Sequence, residues 1–447
     1  MPRAIELRDR YGQAITSSSL TAVERYVDAL DRQLSLNAGA EAGFEAAIEA
    51  DEGFALAQAG LAFARAYRGK TEAAKGSSEQ ARALAGGTSR RERQHVEVVA
   101  AFVGGESARA LGLIREHLAE FPRDALAVQM GTMLISTGGS VRRQQESLAL
   151  LAGVEPAFGD DWWFLGSYAF AHHEVGLFEP SRRFAQRSLA LYPRNAAAAH
   201  PLAHVFYETN DHAGGAEFLD GWIPGYDRSG PYLCHLSWHL ALFELASGHE
   251  ARALELYEQA ISPAVAQTRT TLVDAASLLW RYQIYGCEPR PLPWTEVCEY
   301  AARAAARPGV ALADSHAALA YAAMGDEAAM AKLIDGLRDL AAKGNEVAES
   351  VVLPLASGIE AFARGAYDDS IRLLEPLAGQ LVRIGGSDAQ REVFEDTLLE
   401  AYFRAGRFEQ AEALLRRRLS RRGSARDAVW LERARESGQA AGLQPAG

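Results

Sequence analysis

Apolar residues recur at every third or fourth position over most of this chain, which is the spacing of one buried face along an α-helix. Alternation of apolar and polar residues, the pattern of a half-buried strand, is rare, and proline and β-branched residues are sparse. The pattern therefore predicts an all-α protein that is at least three quarters helical and has no sheet.

A short unit repeats along this helical pattern. It consists of a helix, a tight turn with glycine, an aromatic residue soon afterwards, a small residue three positions later, and an apolar helix that closes with proline. The clearest copy contains Gly176–Ser181 and ends in Ser188–Pro193, and further copies begin at Gly248, Gly365 and Gly406. The unit resembles the tetratricopeptide repeat, in which the small residue lets two antiparallel helices approach and the proline ends the second helix.

The spacing of these units predicts about ten helical hairpins of roughly 34 to 38 residues, stacked as a superhelical solenoid. They are expected to begin near residues 53, 91, 125, 162, 196, 234, 271, 311, 351 and 391. We expect an N-terminal helical cap over residues 1–52, the repeat solenoid over 53–425, and a C-terminal helix end with a frayed tail over 426–447. The stretches Asn210–Gly230 and Gly286–Pro293 are expected to hold longer loops. Because first helices line the concave side of such a stack, we expect function there.

Charge and composition narrow the class of partner. The formal net charge is -12, which argues against a general nucleic-acid binder, and the arginines of residues 416–422 are expected to lie at the surface end of the last helix. No apolar run approaches the length of a membrane span, and the first 19 residues have no apolar signal core. The three cysteines form no Cys-x-x-Cys pair. We expect a cytoplasmic protein with no membrane or nucleic-acid partner.

Histidines provide the strongest candidate chemistry. His200 and His204 lie four apart on one predicted first helix, with Glu208 four positions further, and His235 and His239 repeat the spacing on the next first helix. Imidazole and carboxylate are common ligands of divalent metals such as Zn, Fe or Mn, and they also suit proton transfer. These five residues are the predicted metal ligands. The alternative is that the histidines only form hydrogen bonds inside the helix stack.

Other polar and aromatic residues on or near predicted first helices are candidates for ligand contact. They are His95, Trp163, His173, Trp238, Asp274, Asp314, His316 and Arg391. The two tryptophans have core packing as their alternative role. If the site is catalytic, His200 or His235 is the expected base and Arg391 the expected anion clamp.

Several of these stretches together resemble the tetratricopeptide repeat protein 38 family. They are Arg90–Glu92 with His95, His200–His204, Cys234–His239, Asp274 with Trp280 and Arg281, Asp314 with His316, and Gly385–Arg391. The likeness extends from about residue 20 to residue 425. It implies a repeat fold and a cytosolic protein and says little about activity, but its polar stretches fall mainly on first helices, as in a lined pocket.

Two classes of function remain open. The first is a pocket for a small molecule or short ligand, with a divalent metal and catalysis as options; the second is a non-enzymatic scaffold that binds a peptide or partner protein. Peptide grooves use repeated Asn, Arg or Lys contacts, whereas lysine and asparagine are sparse on the first helices and histidine is concentrated there. The sequence therefore favours the pocket.

Overall fold

The computed structural model describes residues 7–442. Within that range the chain forms 23 α-helices and no strand, apart from an isolated bridge between Arg8 and Ala14. Helix makes up 76% of the chain, so the predicted all-α class is confirmed. Among the described residues, no helix combines the length and apolar character needed to cross a bilayer.

The helices have the following bounds. They are α1 (Leu20–Leu34), α2 (Ala40–Ala50), α3 (Ala55–Tyr67), α4 (Thr71–Leu84), α5 (Arg90–Val103), α6 (Ser107–Glu120), α7 (Ala125–Thr137), α8 (Arg143–Phe158), α9 (Trp162–Glu174), α10 (Phe178–Leu191), α11 (Ala196–Glu208), α12 (His212–Trp222), α13 (Leu233–Ala246), α14 (Glu250–Leu256), α15 (Thr271–Ile284), α16 (Trp294–Ala304), α17 (Ala311–Met324), α18 (Glu327–Ala342), α19 (Leu353–Ala363), α20 (Tyr367–Leu374), α21 (Asp388–Arg404), α22 (Phe408–Arg421) and α23 (Ala425–Gly442). Short 3₁₀ segments cover Ala85–Gly87, Ile223–Gly225, Glu375–Leu377 and Leu381–Ile384, and π-helical segments cover Tyr257–Ile261 and Ala348–Val352.

The odd-numbered helices from α3 to α21 are the first helices of ten successive hairpins. Each begins within three residues of its predicted start. One further hairpin, α1 with α2, lies in the segment expected to be the N-terminal cap, and α23 follows the last hairpin. The fold is a tetratricopeptide-type helical solenoid, as predicted.

The chain forms two compact units. Unit 1 comprises the residues up to 138 together with 142–202 and 224–233, and unit 2 comprises 139–141, 203–223 and the residues from 234 onward. The boundary divides α11 after Leu202.

Within each unit, hairpins pack through their first helices. In unit 1, α5 contacts both α3 and α7, and the core contains the fully buried rings of Phe44, Phe54 and Phe63. In unit 2, α17 contacts both α15 and α19, and α15 also contacts α21, which is distant in sequence. Trp280 Nε1 donates to Thr397 Oγ1 at 2.9 Å across that contact. First helices are thus buried more completely than the second helices that cover them.

Both segments that were expected to hold longer loops contain non-helical residues. The segment Gly286–Pro293 is non-helical between α15 and α16, as predicted. In the glycine-rich segment Asn210–Gly230, α12 and the 3₁₀ turn after it occupy most of the length, and the non-helical residues 226–230 follow. Its glycines pack closely: a Cβ on Gly215 would lie 2.6 Å from the ring of Phe243. Of the expected frayed tail, residues up to Gly442 belong to α23 and 443–447 lie outside the described residues.

Gly60 shows how a small residue permits the stacking of hairpins. A Cβ at this position on α3 would lie 2.4 Å from the ring of Phe44 on α2. Gly76, on the neighbouring helix α4, is a matched control, because a Cβ added there would have no other atom within 4 Å.

We expect Gly60→Ala to destabilise unit 1 by about 1–3 kcal/mol, because the added methyl group overpacks the contact with Phe44. Gly76→Ala should instead add roughly 0.5–1 kcal/mol through helix propensity. Thermal unfolding of the two full-length variants, followed by circular dichroism, measures both effects. An equal gain in both variants would contradict the described packing of α2 on α3.

Candidate metal centre

Three histidines of unit 2 come together on α11 and α13. One ligand nitrogen from each of His204, His235 and His239 lies within 4.8 Å of the others, and all three side chains are buried. The ring of His239 is edge-to-face with both neighbours, at centroid distances of 4.3 Å from His204 and 4.8 Å from His235. His200, the fourth histidine predicted as a ligand, lies one turn before His204 on α11 and belongs to unit 1.

The sequence of α13 explains why these polar rings are buried. Every residue from Cys234 to Leu245 is buried, so this helix has no solvent-facing side and contacts protein all round. The i, i+4 spacing places His235 and His239 on one face of it. The same spacing aligns His200 and His204 on α11. Polar groups on such helices need partners inside the protein.

Asp274 on α15 orients His235. Its carboxylate accepts a hydrogen bond from His235 Nδ1, with distances of 3.0 Å to Oδ1 and 3.1 Å to Oδ2, and the side chain is fully buried. Because Nδ1 carries the proton in this bond, the lone pair of a neutral His235 is on Nε2. A carboxylate that fixes the tautomer in this way is the usual outer partner of a metal-bound histidine.

Trp238 and Cys234 complete the walls around His235. The indole of Trp238 is stacked on His235 with centroids 5.3 Å apart, and its Nε1 donates to Ser277 Oγ at 3.0 Å. Cys234 Sγ lies 3.7 Å from Asp274 Oδ2. Burial, and then the charge of Asp274, raise the pKa of the Cys234 thiol well above its ordinary value. Cys234 is therefore a thiol donor to Asp274, not a thiolate ligand.

Glu208, predicted as a further metal ligand, lies elsewhere. Its carboxylate is 3.3 Å from Arg422 Nη1, and it is not in the group of close ligand atoms. The arginines expected at the surface end of the last helix are also partly internal. Arg418 is 3% exposed and contacts Glu392 and Asp396 at 2.7 Å each. Burial alone would raise the pKa of Glu392, but Arg422 and Arg418 hold it well below its ordinary value.

The expected anion clamp, Arg391, is occupied by its own loop. Its Nη1 donates to the carbonyls of Gly385 and Gly386, with a distance of 3.0 Å to Gly385, and its Nη2 pairs with Asp388. These contacts fix the loop that leads into α21. They correct the prediction that Arg391 is available to hold an anion.

Asp314 and His316 are both buried at the start of α17. Asp314 Oδ2 accepts the Gly309 N–H at 2.8 Å, and burial raises the pKa of this carboxyl group to about 6. His316 Nδ1 donates to the Leu312 carbonyl at 2.7 Å, and burial lowers the pKa of its ring to about 4. His316 is therefore neutral at neutral pH.

Unit 1 contains three of the predicted contact residues. Trp163 is 1% exposed and packs against Phe158 at a centroid distance of 5.6 Å, so its position is that of a core residue. His173 is buried beside Glu174, with 3.5 Å between Nδ1 and Oε1. His95 is buried next to Asp124, with 2.8 Å between Nδ1 and Oδ2.

His95 lies in a cluster with two residues that were not predicted from the sequence, His117 and Asp124. They lie on α6 and immediately before α7, so no helical periodicity connects them with His95 on α5. The one local signal is Asp124 itself, because an aspartate directly before an apolar helix is typical of an N-cap. Its side chain does accept the Ala127 N–H at 3.2 Å.

An apolar cavity in unit 2 is lined by none of these histidines. Its walls are Leu355, Leu374, Leu377, Ala378, Leu381, Phe394, Leu398 and Leu414, with Glu395 and Arg417 at the edge. The histidine cluster itself is closely packed.

Comparisons with known proteins establish no family. No family model matches the chain. Solved structures with a related arrangement of helices include a human IFIT1 dimer with m7Gppp-AAAA, at 14% identity and a TM-score of 0.44 over 96% of this chain and 98% of that one. Others are Naa15/Naa10 bound to HypK-THB (13% identity, TM-score 0.26, 80% and 69% of the two chains) and the P58(IPK) TPR domain (13%, 0.19, 86% and 98%). At these values the likeness carries no inference about a ligand or partner of this chain.

We expect Asp314→Asn to stabilise the protein at pH 8 by about 1–3 kcal/mol. The folded-state pKa of Asp314, about 6, is above its unfolded value, so ionisation costs the folded state stability as the pH rises from about 4 past 6. Asparagine keeps an acceptor for Gly309 and does not ionise.

Urea denaturation at pH 4 and pH 8 tests this expectation. The gain should be much smaller at pH 4, where the folded wild-type protein holds the proton on Asp314. Asp335→Asn is the control, because this carboxylate is exposed on α18. A loss of stability at pH 8 in Asp314→Asn would show that the site favours the charged form.

Proposed function

We propose that this protein binds a divalent metal ion through His204, His235 and His239, and that the bound ion receives a small polar ligand. The observation that carries the proposal is the hydrogen bond from His235 Nδ1 to the buried carboxylate of Asp274. It leaves Nε2 of His235 as the nitrogen that can bind an ion, beside two other buried imidazoles. Carboxylate, histidine and metal in this order are a recurrent arrangement in metal sites.

The spacing of the three rings supports an ion of zinc type. At a metal–nitrogen distance of about 2.05 Å, tetrahedral ligand nitrogens are roughly 3.4 Å apart. The nitrogens here lie within 4.8 Å of one another. Small side-chain rotations would bring them onto one ion without movement of α11 or α13.

The charge of Asp274 supports the same proposal. Its carboxylate is fully buried, and His235 is its ion-pair partner among the described residues. A buried carboxylate is costly unless positive charge is close. A divalent cation on His235 supplies that charge through the imidazole, and neutral His235 alone does not.

Three imidazoles leave the fourth position of a tetrahedral ion for water or for an oxygen or nitrogen atom of a ligand. Of the two residues predicted as catalytic base, His235 acts as a ligand in this site. Metal-bound water is the nucleophile that such a site would provide.

We also propose membership of the tetratricopeptide repeat protein 38 family and a cytoplasmic location. The support is in the sequence stretches themselves. Cys234–His239 and Asp274, two of the matching stretches, are residues of the proposed centre, whereas Gly385–Arg391 forms a loop held by its own arginine. The matching residues thus have roles beyond the stacking of hairpins.

Metal binding by the purified, metal-stripped full-length protein tests the proposal. We expect His239→Ala to bind one equivalent of Zn²⁺ fewer than the wild type in calorimetric titration. Asp274→Asn should weaken binding at this site about 10- to 100-fold. A neutral amide holds the His235 ring less firmly than a carboxylate does and raises the basicity of its ligand nitrogen less. His249→Ala is the matched control, since His249 is an exposed residue paired with Glu244.

Equal Zn²⁺ stoichiometry in the wild type and His239→Ala would contradict the proposal. It would favour the alternative function, a scaffold for a peptide or partner protein whose histidines only pack. Circular dichroism of each variant separates loss of ligand from loss of fold.

Nucleic acid is not an expected ligand. The net charge is -12, and arginines 418 and 422 are neutralised by buried carboxylates. We expect no measurable binding of arbitrary duplex DNA or RNA at physiological salt in fluorescence anisotropy. Micromolar affinity that falls steeply with added salt would show this expectation to be wrong.

A further inference from the structure

A second group of potential ligands lies within unit 1, and the proposed function does not use it. It consists of His95 on α5, His117 on α6 and Asp124 at the N-cap of α7, with one ligand atom of each within 4.8 Å of the others. All three side chains are at least 95% buried, at exposures of 2%, 1% and 5%. Asp124 Oδ2 lies 2.8 Å from His95 Nδ1 and 3.0 Å from His117 Nε2.

The hydrogen bonds around His117 define its tautomer. Gln94 Nε2 donates to Glu120 Oε1 at 3.3 Å, which makes Gln94 Oε1 the acceptor atom of that amide. This oxygen lies 3.0 Å from His117 Nδ1, so Nδ1 carries a proton. A neutral His117 then directs the lone pair of Nε2 at the carboxylate oxygen of Asp124. Two lone pairs at 3.0 Å repel each other unless a cation lies between them.

The two carboxylate oxygens of Asp124 have different neighbours. Oδ1 accepts the Ala127 N–H that caps α7, whereas Oδ2 faces both imidazoles. His95 has its Nε2 buried with no hydrogen-bond partner among the described residues. The imidazole of His95 is therefore held by Asp124 alone on its polar side.

We propose that His95, His117 and Asp124 form a second divalent-cation site, independent of the ion at His204, His235 and His239. Two imidazoles and one carboxylate are a ligand set for Fe²⁺, Mn²⁺, Co²⁺ or Zn²⁺. At metal–ligand distances of about 2.1 Å, ligands at right angles are roughly 3.0 Å apart. The 2.8 and 3.0 Å spacings match an octahedral ion with open positions.

Gln94 is the outer hydrogen-bond partner of the ligand His117 in this proposed site. It accepts from the Nδ1–H of His117 and thereby directs Nε2 at the ion, as Asp274 does for His235 at the other centre. The two centres differ in donor set. The one in unit 1 contains a carboxylate ligand and so prefers harder, six-coordinate ions than an all-imidazole group.

Nearby charges also favour a cation. Arg91 Nη1 lies 3.6 Å from Asp124 Oδ2 and supplies one positive charge. Asp9 lies close enough to Asp124 for the two charges to interact. Two carboxylates beside one arginine leave a net formal negative charge, which favours a cation. The guanidinium of Arg91 faces Asp124 only in part, because its Nη2 donates to the Ala14 carbonyl at 2.9 Å.

Titration with Co²⁺ tests the site, and the double variant His204→Ala, His239→Ala removes the first centre from the measurement. We expect the metal-stripped double variant to bind one equivalent of Co²⁺, with the weak visible absorption of a six-coordinate ion. Adding His117→Ala should abolish this binding. Adding Gln94→Ala, at a half-buried position, should weaken it about 10- to 100-fold. Adding His172→Ala, a histidine of α9 that bonds its own helix, should change nothing.

The overturning result is a folded double variant that binds neither Co²⁺ nor Zn²⁺. In that case a proton would replace the ion, and the ¹⁵N NMR signals of His117 would report both ring nitrogens protonated at pH 7 regardless of added metal. Retained one-equivalent binding after His117→Ala would equally overturn the assignment. Neither result depends on whether the centre in unit 2 exists, because the double variant lacks it.

Discussion

A helical hairpin of this size cannot bury its apolar stripe alone, and this constraint governs the rest of the structure. Each hairpin is stable only when its neighbours cover it, so first helices are packed on several sides. Gly60 shows the local requirement, because α3 approaches the ring of Phe44 more closely than any Cβ allows. The helix α13 shows the extreme case, with twelve consecutive buried residues from Cys234 to Leu245.

A polar residue on a helix that is buried on all sides must find its hydrogen-bond partners inside the protein. His235 and His239 cannot reach solvent, so their energetic cost must be offset inside the protein. Asp274 offsets part of it by accepting from His235, but it adds a buried negative charge of its own. A similar arrangement recurs in unit 1, where Asp124 caps α7 through Oδ1 and places Oδ2 against His95 and His117. In each unit the proposed divalent cation would balance the acceptors and lone pairs that packing brings together.

Periodic features of the fold could be predicted from the sequence. The starts of ten hairpins follow from glycine turns and apolar spacing, and all agree with the structure to within three residues. The proximity of His204 to His235 and His239 follows from i, i+4 spacing on two consecutive first helices. Residues without such a pattern could not be placed. Asp124 and His117 lie on different elements from His95, and only tertiary packing joins them.

The sequence pattern could not identify the partners that compete for single charged side chains. Glu208 shares a helical face with His204 in the sequence pattern, but Arg422, 214 positions away, pairs with it. Arg391 has its guanidinium occupied by a loop just before its own helix. Helical periodicity predicts which face of its helix a residue lies on. It does not predict which other residue contacts that side chain. Charged side chains with long reach are therefore the least predictable part of the site.

The most direct test of the proposed metal centre is anomalous diffraction at the zinc absorption edge from crystals of the full-length protein grown with Zn²⁺. We expect an anomalous peak about 2.0 to 2.1 Å from a ring nitrogen of each of His204, His235 and His239. The hydrogen bond between His235 Nδ1 and Asp274 should be retained. Well-ordered histidine rings with no anomalous peak between them would contradict the central claim and leave the cluster with a packing role.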